Sequence, residues 1–446
     1  MKTFGKRSWQ ILLLFGLVGQ IAWAVENMYF NLFVFETIAP DLDAITLMVQ
    51  LSGIVATLVT LVAGTLSDKL ANRRSFISWG YVIWGVTVAL FGMLSPEGIG
   101  TLFDVDLARA VSLTLVLAVV GDCVMTLFGS TANDAAFNAW VTDNTSEAYR
   151  GRVEGVLSIL PLAAMLVVAG GFGMLVEGIG YRALFLALGA VITVCGVLGI
   201  FMIRDSKTLQ KSGTLKDIFY GFKPRVIRQN GALYLALSVM CVYGIACQIF
   251  MPYLIIYMKT YLGFTTLEYS IVFGGAIVIG AAVNLWLARL SDRREKQGLL
   301  FLAAGLFVAG LAAMYACRFG GKTVLLITFG LAGLLMIVGY IFVSALCGAL
   351  VRDYTPAGEV GKLQGVRMIF AVLIPMVVGP MIGNGINKLV NVKMTDPGAD
   401  IMTTEYIPAP EIFLAAAITA ALMFALIPLL SRVIKKGKER EARICD

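Results

Sequence analysis

The sequence predicts an all-α membrane protein, with twelve transmembrane helices arranged as two pseudo-symmetric six-helix bundles. Three observations lead there. Of 446 residues, 59% are apolar and only 14% charged, with a mean hydropathy of +0.86. Soluble domains carry about 25% charged residues, and so few charges could not cover a water-soluble fold of this size. Soluble enzymes, nucleic-acid modules and disordered chains are thereby excluded. The second observation is a series of twelve apolar runs, each about 20 residues or more, enough to cross a ~30 Å hydrocarbon layer. The third is a basic linker that divides those runs six and six.

The runs are 9–36, 46–66, 75–94, 111–138, 153–176, 181–203, 231–257, 268–288, 299–317, 323–350, 363–388 and 411–433. Each should be helical, because a backbone exposed to lipid must satisfy its own hydrogen bonds. Strand-like alternation is absent. The first run is long, carries Glu26 and Asn27 and has no cleavage site, so it reads as a span rather than a secretory leader. With the N-terminus inside, 28 of the 35 Lys and Arg residues fall in cytoplasmic segments and 7 in outer loops. That asymmetry predicts a multi-pass protein of the cell membrane with both termini cytoplasmic. It also accounts for the net charge of +7 without any nucleic-acid partner. The expected organisation is an N-terminal bundle (1–203), a basic linker (204–230), a C-terminal bundle (231–434) and a basic tail (435–446). The polar loop 389–410 is the longest on the outer side and reads as a solvated loop or a lid.

Histidine is absent, which removes the commonest metal ligand and the usual switch near neutral pH. The seven cysteines are scattered without ligand spacing and read as small packing residues. No metal and no cofactor is implied. The pattern GxxxxGK[ST] does not occur, so no nucleotide site drives the protein.

The halves echo each other twice. Leu66-Ser67-Asp68-Lys69 after the second run matches Leu290-Ser291-Asp292-Arg293 after the eighth, 224 positions on. Asp143, Thr145, Gly151, Arg152, Gly155 and Val156 match Asp353, Thr355, Gly361, Lys362, Gly365 and Val366 at a constant offset of 210. Internal repeats of this kind are expected of a duplicated transporter.

These features resemble the major facilitator superfamily. Its signature G-x-x-x-D-[RK]-x-x-x-R-[RK] is filled by Gly64, Asp68, Lys69, Arg73 and Arg74. Within it, Asn133-Asp134-Ala-Ala-Phe137-Asn138, running on to Asp143, resembles the glycoside–pentoside–hexuronide:cation symporters, of which melibiose permease is a member. That resemblance implies sugar-binding carboxylates at Asp134 and near Glu26. The paired aspartates that hold sodium in that family have no counterpart in 53–60, Asn138 stands where an aromatic is expected, and the membrane lysine of the eleventh helix is missing. Protons are therefore the expected coupling ion.

Charges deep in a bilayer usually face a water-filled cavity. Glu26, Asp122 and Asp134 are the acids so placed, and they are the candidate proton carriers. With Asn27, Asn133 and Asn138, Glu26 and Asp134 form the candidate substrate wall of the first half. A carboxylate accepts two hydrogen bonds from vicinal hydroxyls. At about 100° per residue, the twelve residues between Asp122 and Asp134 put them about 120° apart on an α-helix. In the second half the candidates are Tyr243, Gln248, Tyr253, Asn284, Tyr340 and Asn384, since aromatic rings beside amides suit a sugar. The alternative for all of them is polar helix-to-helix bonding. Asp68, Arg73, Arg74, Asp143, Arg150, Asp292, Arg293 and Arg294 are expected to form ion pairs that gate the cavity, or else only to set topology.

The function expected is secondary active transport of a sugar, glycoside or similar small polar solute by H⁺ symport, working as a monomer by alternating access. The alternative is proton antiport that exports amphipathic or drug-like molecules. No catalytic cluster points to an enzyme.

Overall fold

The computed structural model describes residues 5–145, 147–206, 220–291, 295–356, 360–393 and 406–445. It is almost entirely helical, and contacts divide the chain into two compact units, Met1–Leu215 and Lys216–Asp446.

Among the described residues, eleven helical runs are long and apolar enough to span a membrane. In unit 1 they are α1 (Lys6–Ile38), α2 (Leu42–Leu70), α3 (Arg73–Phe91), α4 (Leu107–Asn144) and α5 (Gly155–Met202). In unit 2 they are α6 (Gly231–Thr260), α7 (Thr266–Asn284), α8 (Lys296–Ala316), α9 (Lys322–Tyr354), α10 (Leu363–Val390) and α11 (Glu411–Gly437). The expected fifth and sixth runs are merged in α5. They are separated at Gly180, whose φ of 77° and ψ of 162° break the helix. An L-residue rarely adopts that conformation, and the break restores the expected twelve segments. A second departure is at the C-terminus, where the last helix continues through the basic tail as Met423–Cys445.

Helix ends follow their sequence signals. Asp41 caps α2 by accepting from the amides of Asp43 and Ala44, and Asn72 caps α3 by accepting from Ser75. Ser95 caps a short helix, Pro96–Phe103, that has proline in its first turn.

Within each unit, small residues let helices approach closely, as expected where lipid supplies no hydrophobic drive between helices. A Cβ on Gly85 of α3 would run into Thr193 and the Gly189 carbonyl of α5. In unit 2, a Cβ on Gly310 of α8 would meet Met336 of α9, and one on Gly339 would meet Phe307. Trp84 is fully buried and tilts against Trp23 at 5.2 Å, so both tryptophans pack inside unit 1. Trp79 is 58% exposed, as an interface anchor would be.

The polar loop of unit 2 is tied at both ends to α10. Tyr406 pairs with Lys393 in a β-bridge and donates to Asn384 Oδ1 at 2.9 Å, and the Ala409 amide donates to Asn387 Oδ1 at 2.9 Å. Residues 394–405 of that loop lie outside the described residues.

Candidate functional site

Two of the three membrane acids stand in stretches of π-helix. In α1, Glu26–Phe30 is π-helical, and Glu26 opens it. In α4, Ser130–Phe137 is π-helical and contains Asn133 and Asp134. A π-turn widens the helix by one residue and is frequent at functional sites. It also alters the expected geometry. The π-stretch begins between Asp122 and Asp134, so a phase counted at α-helical spacing does not hold over its last steps. Thr126, which binds Glu26, lies between the two aspartates on α4.

Each acid is held by neutral groups. Glu26 is 7% exposed, and its Oε1 accepts from Thr126 Oγ1 of α4 at 2.8 Å. Its other oxygen, Oε2, is buried without a partner. Asp122 is 3% exposed and accepts from Ser52 Oγ of α2, and its Oδ1 is likewise unpartnered. Ser52 also reaches the Met48 carbonyl at 2.9 Å. Asp134 is half-buried and accepts from Ser130 Oγ at 3.1 Å and from Asn133 Nδ2 at 3.2 Å. Among the described residues, no Lys or Arg forms an ion pair with any of the three. No group of His, Cys, Asp and Glu suited to a metal ion occurs among them either.

Asn133 is the hub between these acids and the packing of unit 1. It is 3% exposed, and the Tyr81 hydroxyl lies 3.0 Å from its Oδ1 and 2.7 Å from the Phe15 carbonyl. Gly19 of α1 faces both Asn133 and Tyr81, and a Cβ there would collide with each. Asn27 and Asn138 are exposed, and each bonds to a carbonyl one turn back, at Trp23 and Asp134.

The candidates in unit 2 are arranged differently. Tyr243 donates to the Tyr340 carbonyl at 3.0 Å, and the two rings lie 5.6 Å apart. Tyr253 donates to the Pro380 carbonyl at 3.2 Å. Asn284 donates to the Gly280 and Val338 carbonyls, at 2.9 and 3.2 Å. Asn384 accepts from Tyr406. Gln248 is half-buried where α6 meets Gly379 of α10. Tyr243, Tyr253, Asn284 and Asn384 thus join one helix or loop to another within the unit.

The Gly64–Arg74 signature forms a knot within unit 1. Arg73 is 4% exposed; its guanidinium binds Asp68, Asp143 (3.0 Å from Nε) and Ser67 Oγ (2.5 Å). Asp205 accepts from the amides of both Arg73 and Arg74 at 2.9 Å, and Arg74 donates to the Ile200 carbonyl. Trp140 Nε1 donates to the Arg204 carbonyl at 2.9 Å. The ends of α2, α4 and α5 and the start of α3 are thus stapled together. Asp143 faces Arg73; the Arg150 side chain lies outside the described residues. So do Asp292, Arg293 and Arg294.

A chain of membrane-length helices with buried acids in its first unit has the form of a polytopic solute transporter. The chain belongs to the Major Facilitator Superfamily, whose family model matches residues 12–380. It is 25% identical over 316 residues to an MFS-type efflux pump of Mycolicibacterium smegmatis, covering 69% of this chain and 68% of that one. The fold resembles a crystal structure of a mutant form of the nucleoside transporter NupG, with a TM-score of 0.69 at 10% identity over 94% of this chain and 99% of that one. It also resembles a bacterial homologue of the human lysosomal transporter Spinster, with a TM-score of 0.66 at 14% identity over 96% of this chain and 98% of that one. A bacterial homologue of the iron transporter ferroportin gives 0.63 at 15% identity, over 95% and 99%.

Proposed function

We propose that the protein is a proton-coupled secondary transporter of a small polar solute, a sugar or glycoside being the leading class. It works by alternating access in the cell membrane, with both termini cytoplasmic. The observation that carries this reading is the set of three acids, Glu26, Asp122 and Asp134, held by hydroxyls and an amide and paired with no cation among the described residues.

Three neighbouring negative charges without a counter-charge are unfavourable in a low-dielectric interior. Protons, or a solute that brings positive charge or hydroxyl donors, relieve them. Ser52 illustrates the point. It has one proton for two acceptors, the Met48 carbonyl and Asp122. An acid proton on Asp122 satisfies both, because Ser52 then donates to Met48 and accepts from Asp122. In this reading Asp134 and Glu26, with Asn27 and Asn138, receive the solute, and the unpartnered oxygens of Glu26 and Asp122 take the proton.

A second reading is favoured by the relative from M. smegmatis. An exporter of amphipathic cations by proton antiport would use the same acids to meet the substrate's positive charge. The two readings differ in the direction of proton flow. In proteoliposomes containing the pH dye pyranine, sugars, nucleosides and amphipathic amines are added outside in turn. Symport of an entering solute acidifies the lumen, whereas antiport makes it alkaline. Acidification by a sugar supports the leading reading. Alkalinisation confined to amines supports the second, and no proton movement with any transported solute overturns both.

A further inference from the structure

We propose that one basic end of unit 2 is a docking surface for anionic phospholipid headgroups. Two elements build it. The first is the end of α11, whose helix continues without a break to Cys445. Here Arg432, Lys435 and Lys436 are exposed, next to Leu429 (45% exposed) and Val433 (38%). The second is a short helix, Pro224–Gln229, with Arg225 and Arg228 exposed beside Phe222 and Ile227.

The short helix is fixed against unit 2. Val226 is buried at 5% exposure, and Tyr234 donates to the Gly221 carbonyl. Asn230 donates from its side chain to the Val226 carbonyl at 3.0 Å. The chain then enters α6 at Gly231, where an added Cβ would lie 3.7 Å from Val433 of α11. Arg228 is three residues from that contact and Lys435 and Lys436 are within one turn of it. At ~1.5 Å per residue in a helix and ~3.8 Å at most elsewhere, the backbones of these cations lie within about 10 Å of the contact. That is about one Debye length at physiological salt, so their fields add. Among the described residues, no carboxylate forms an ion pair with Arg225, Arg228, Arg432, Lys435 or Lys436, and Glu439 is the acid one turn beyond Lys435.

The chemistry selects the partner. Exposed apolar side chains alternate with the cations, and both border the end of a membrane span. A bilayer surface satisfies both at once, with acyl chains covering Phe222, Ile227, Leu429 and Val433 while phosphates meet the cations. A soluble anion or a nucleic acid would leave the apolar groups in water.

The test uses the full-length chain in detergent, titrated with phosphatidylglycerol, phosphatidylcholine or inorganic phosphate while thermal unfolding is followed. A ligand that binds the folded form raises the melting temperature. Phosphatidylglycerol is expected to act at lower concentration than phosphatidylcholine, in a salt-sensitive way, while inorganic phosphate has no effect. The triple variant Arg228→Gln, Lys435→Gln, Lys436→Gln should weaken the phosphatidylglycerol response at least ten-fold, since each cation near an anionic surface contributes roughly five-fold. Arg228→Lys with Lys435→Arg and Lys436→Arg should restore it, and Arg109→Gln, in unit 1, should leave it unchanged. Equal responses to the two lipids would overturn the proposal, as would an undiminished response in the triple variant. A response to inorganic phosphate that matches the lipid's would assign the surface to soluble anions and overturn it as well.

Discussion

Both units are built from long apolar helices, but they treat charge in opposite ways. Unit 1 buries Glu26 and Asp122, half-buries Asp134 and gives none of them a cation partner among its described residues. Unit 2 places its described ion pairs at helix ends: Lys296 with Asp353, Arg318 with Glu411, and Lys322 with Glu268. Among its interior phenols and amides, Tyr243, Tyr253 and Asn284 donate to backbone carbonyls and Asn384 accepts from Tyr406. Unit 1 thus holds acids in its interior, whereas the buried polar side chains of unit 2, among the described residues, are uncharged.

The contrast is broken or sharpened most strongly at Asp134. Asp134→Asn keeps the size of the side chain but removes its charge and its capacity to carry a proton. Transport in proteoliposomes is expected to fall to the level of empty liposomes while the purified protein still unfolds cooperatively. Retained transport would move the site out of the π-stretch of α4.

Next in size is the knot at the Gly64–Arg74 signature. Arg73→Gln leaves Asp68 and Asp143 facing each other without their shared cation. Removing one partner of a buried pair costs about 3–5 kcal/mol, and Asp68 is 37% exposed, so the loss should be near ~3 kcal/mol. Denaturant unfolding in detergent measures it. A loss under ~1 kcal/mol would mean that the knot is a surface feature only.

A smaller effect tests whether packing and site are joined. Gly19→Ala pushes α1 against Asn133 and Tyr81. Overpacking of this kind costs about 1–3 kcal/mol, and the shift of Asn133 should also lower substrate affinity, read from the substrate dependence of transport. Lost stability with unaltered affinity would separate Asn133 from the site.

The smallest change lies in unit 2. Asn284→Ala removes a bond from α7 to the Val338 carbonyl of α9. Hydrogen bonds between membrane helices average about 0.6 kcal/mol, so stability should fall by roughly that amount and transport should stay near wild type. Abolished transport would return Asn284 to the binding site.

Much of this architecture was legible in the sequence because lipid imposes a simple rule: a spanning helix must be long and apolar. The same rule exposed Glu26, Asp122 and Asp134, since an acid in an apolar run stands out. Their partners did not stand out. Ser52, Thr126 and Ser130 are ordinary small polar residues in such runs, and Ser52 and Thr126 lie 70 and 100 positions from the acids they bind. The π-stretches gave no warning either, because hydropathy periodicity does not register one extra residue in a turn. Asp205 was invisible as a cap because it acts on Arg73 and Arg74 from the far end of unit 1. In unit 2, Tyr243, Tyr253 and Asn284 have residue types that serve binding and packing equally well, and hydropathy does not register the carbonyls they bind.

The most direct test of the central claim, that the acids of unit 1 carry the proton, separates proton movement from solute movement. Proteoliposomes of the wild type, Glu26→Gln, Asp122→Asn and the combined variant are assayed in parallel for solute-driven proton flux and for exchange of labelled solute across the membrane at equal concentration. The account predicts that at least one variant exchanges solute while its proton flux is lost. Full proton flux in both variants and in the combined variant would contradict it.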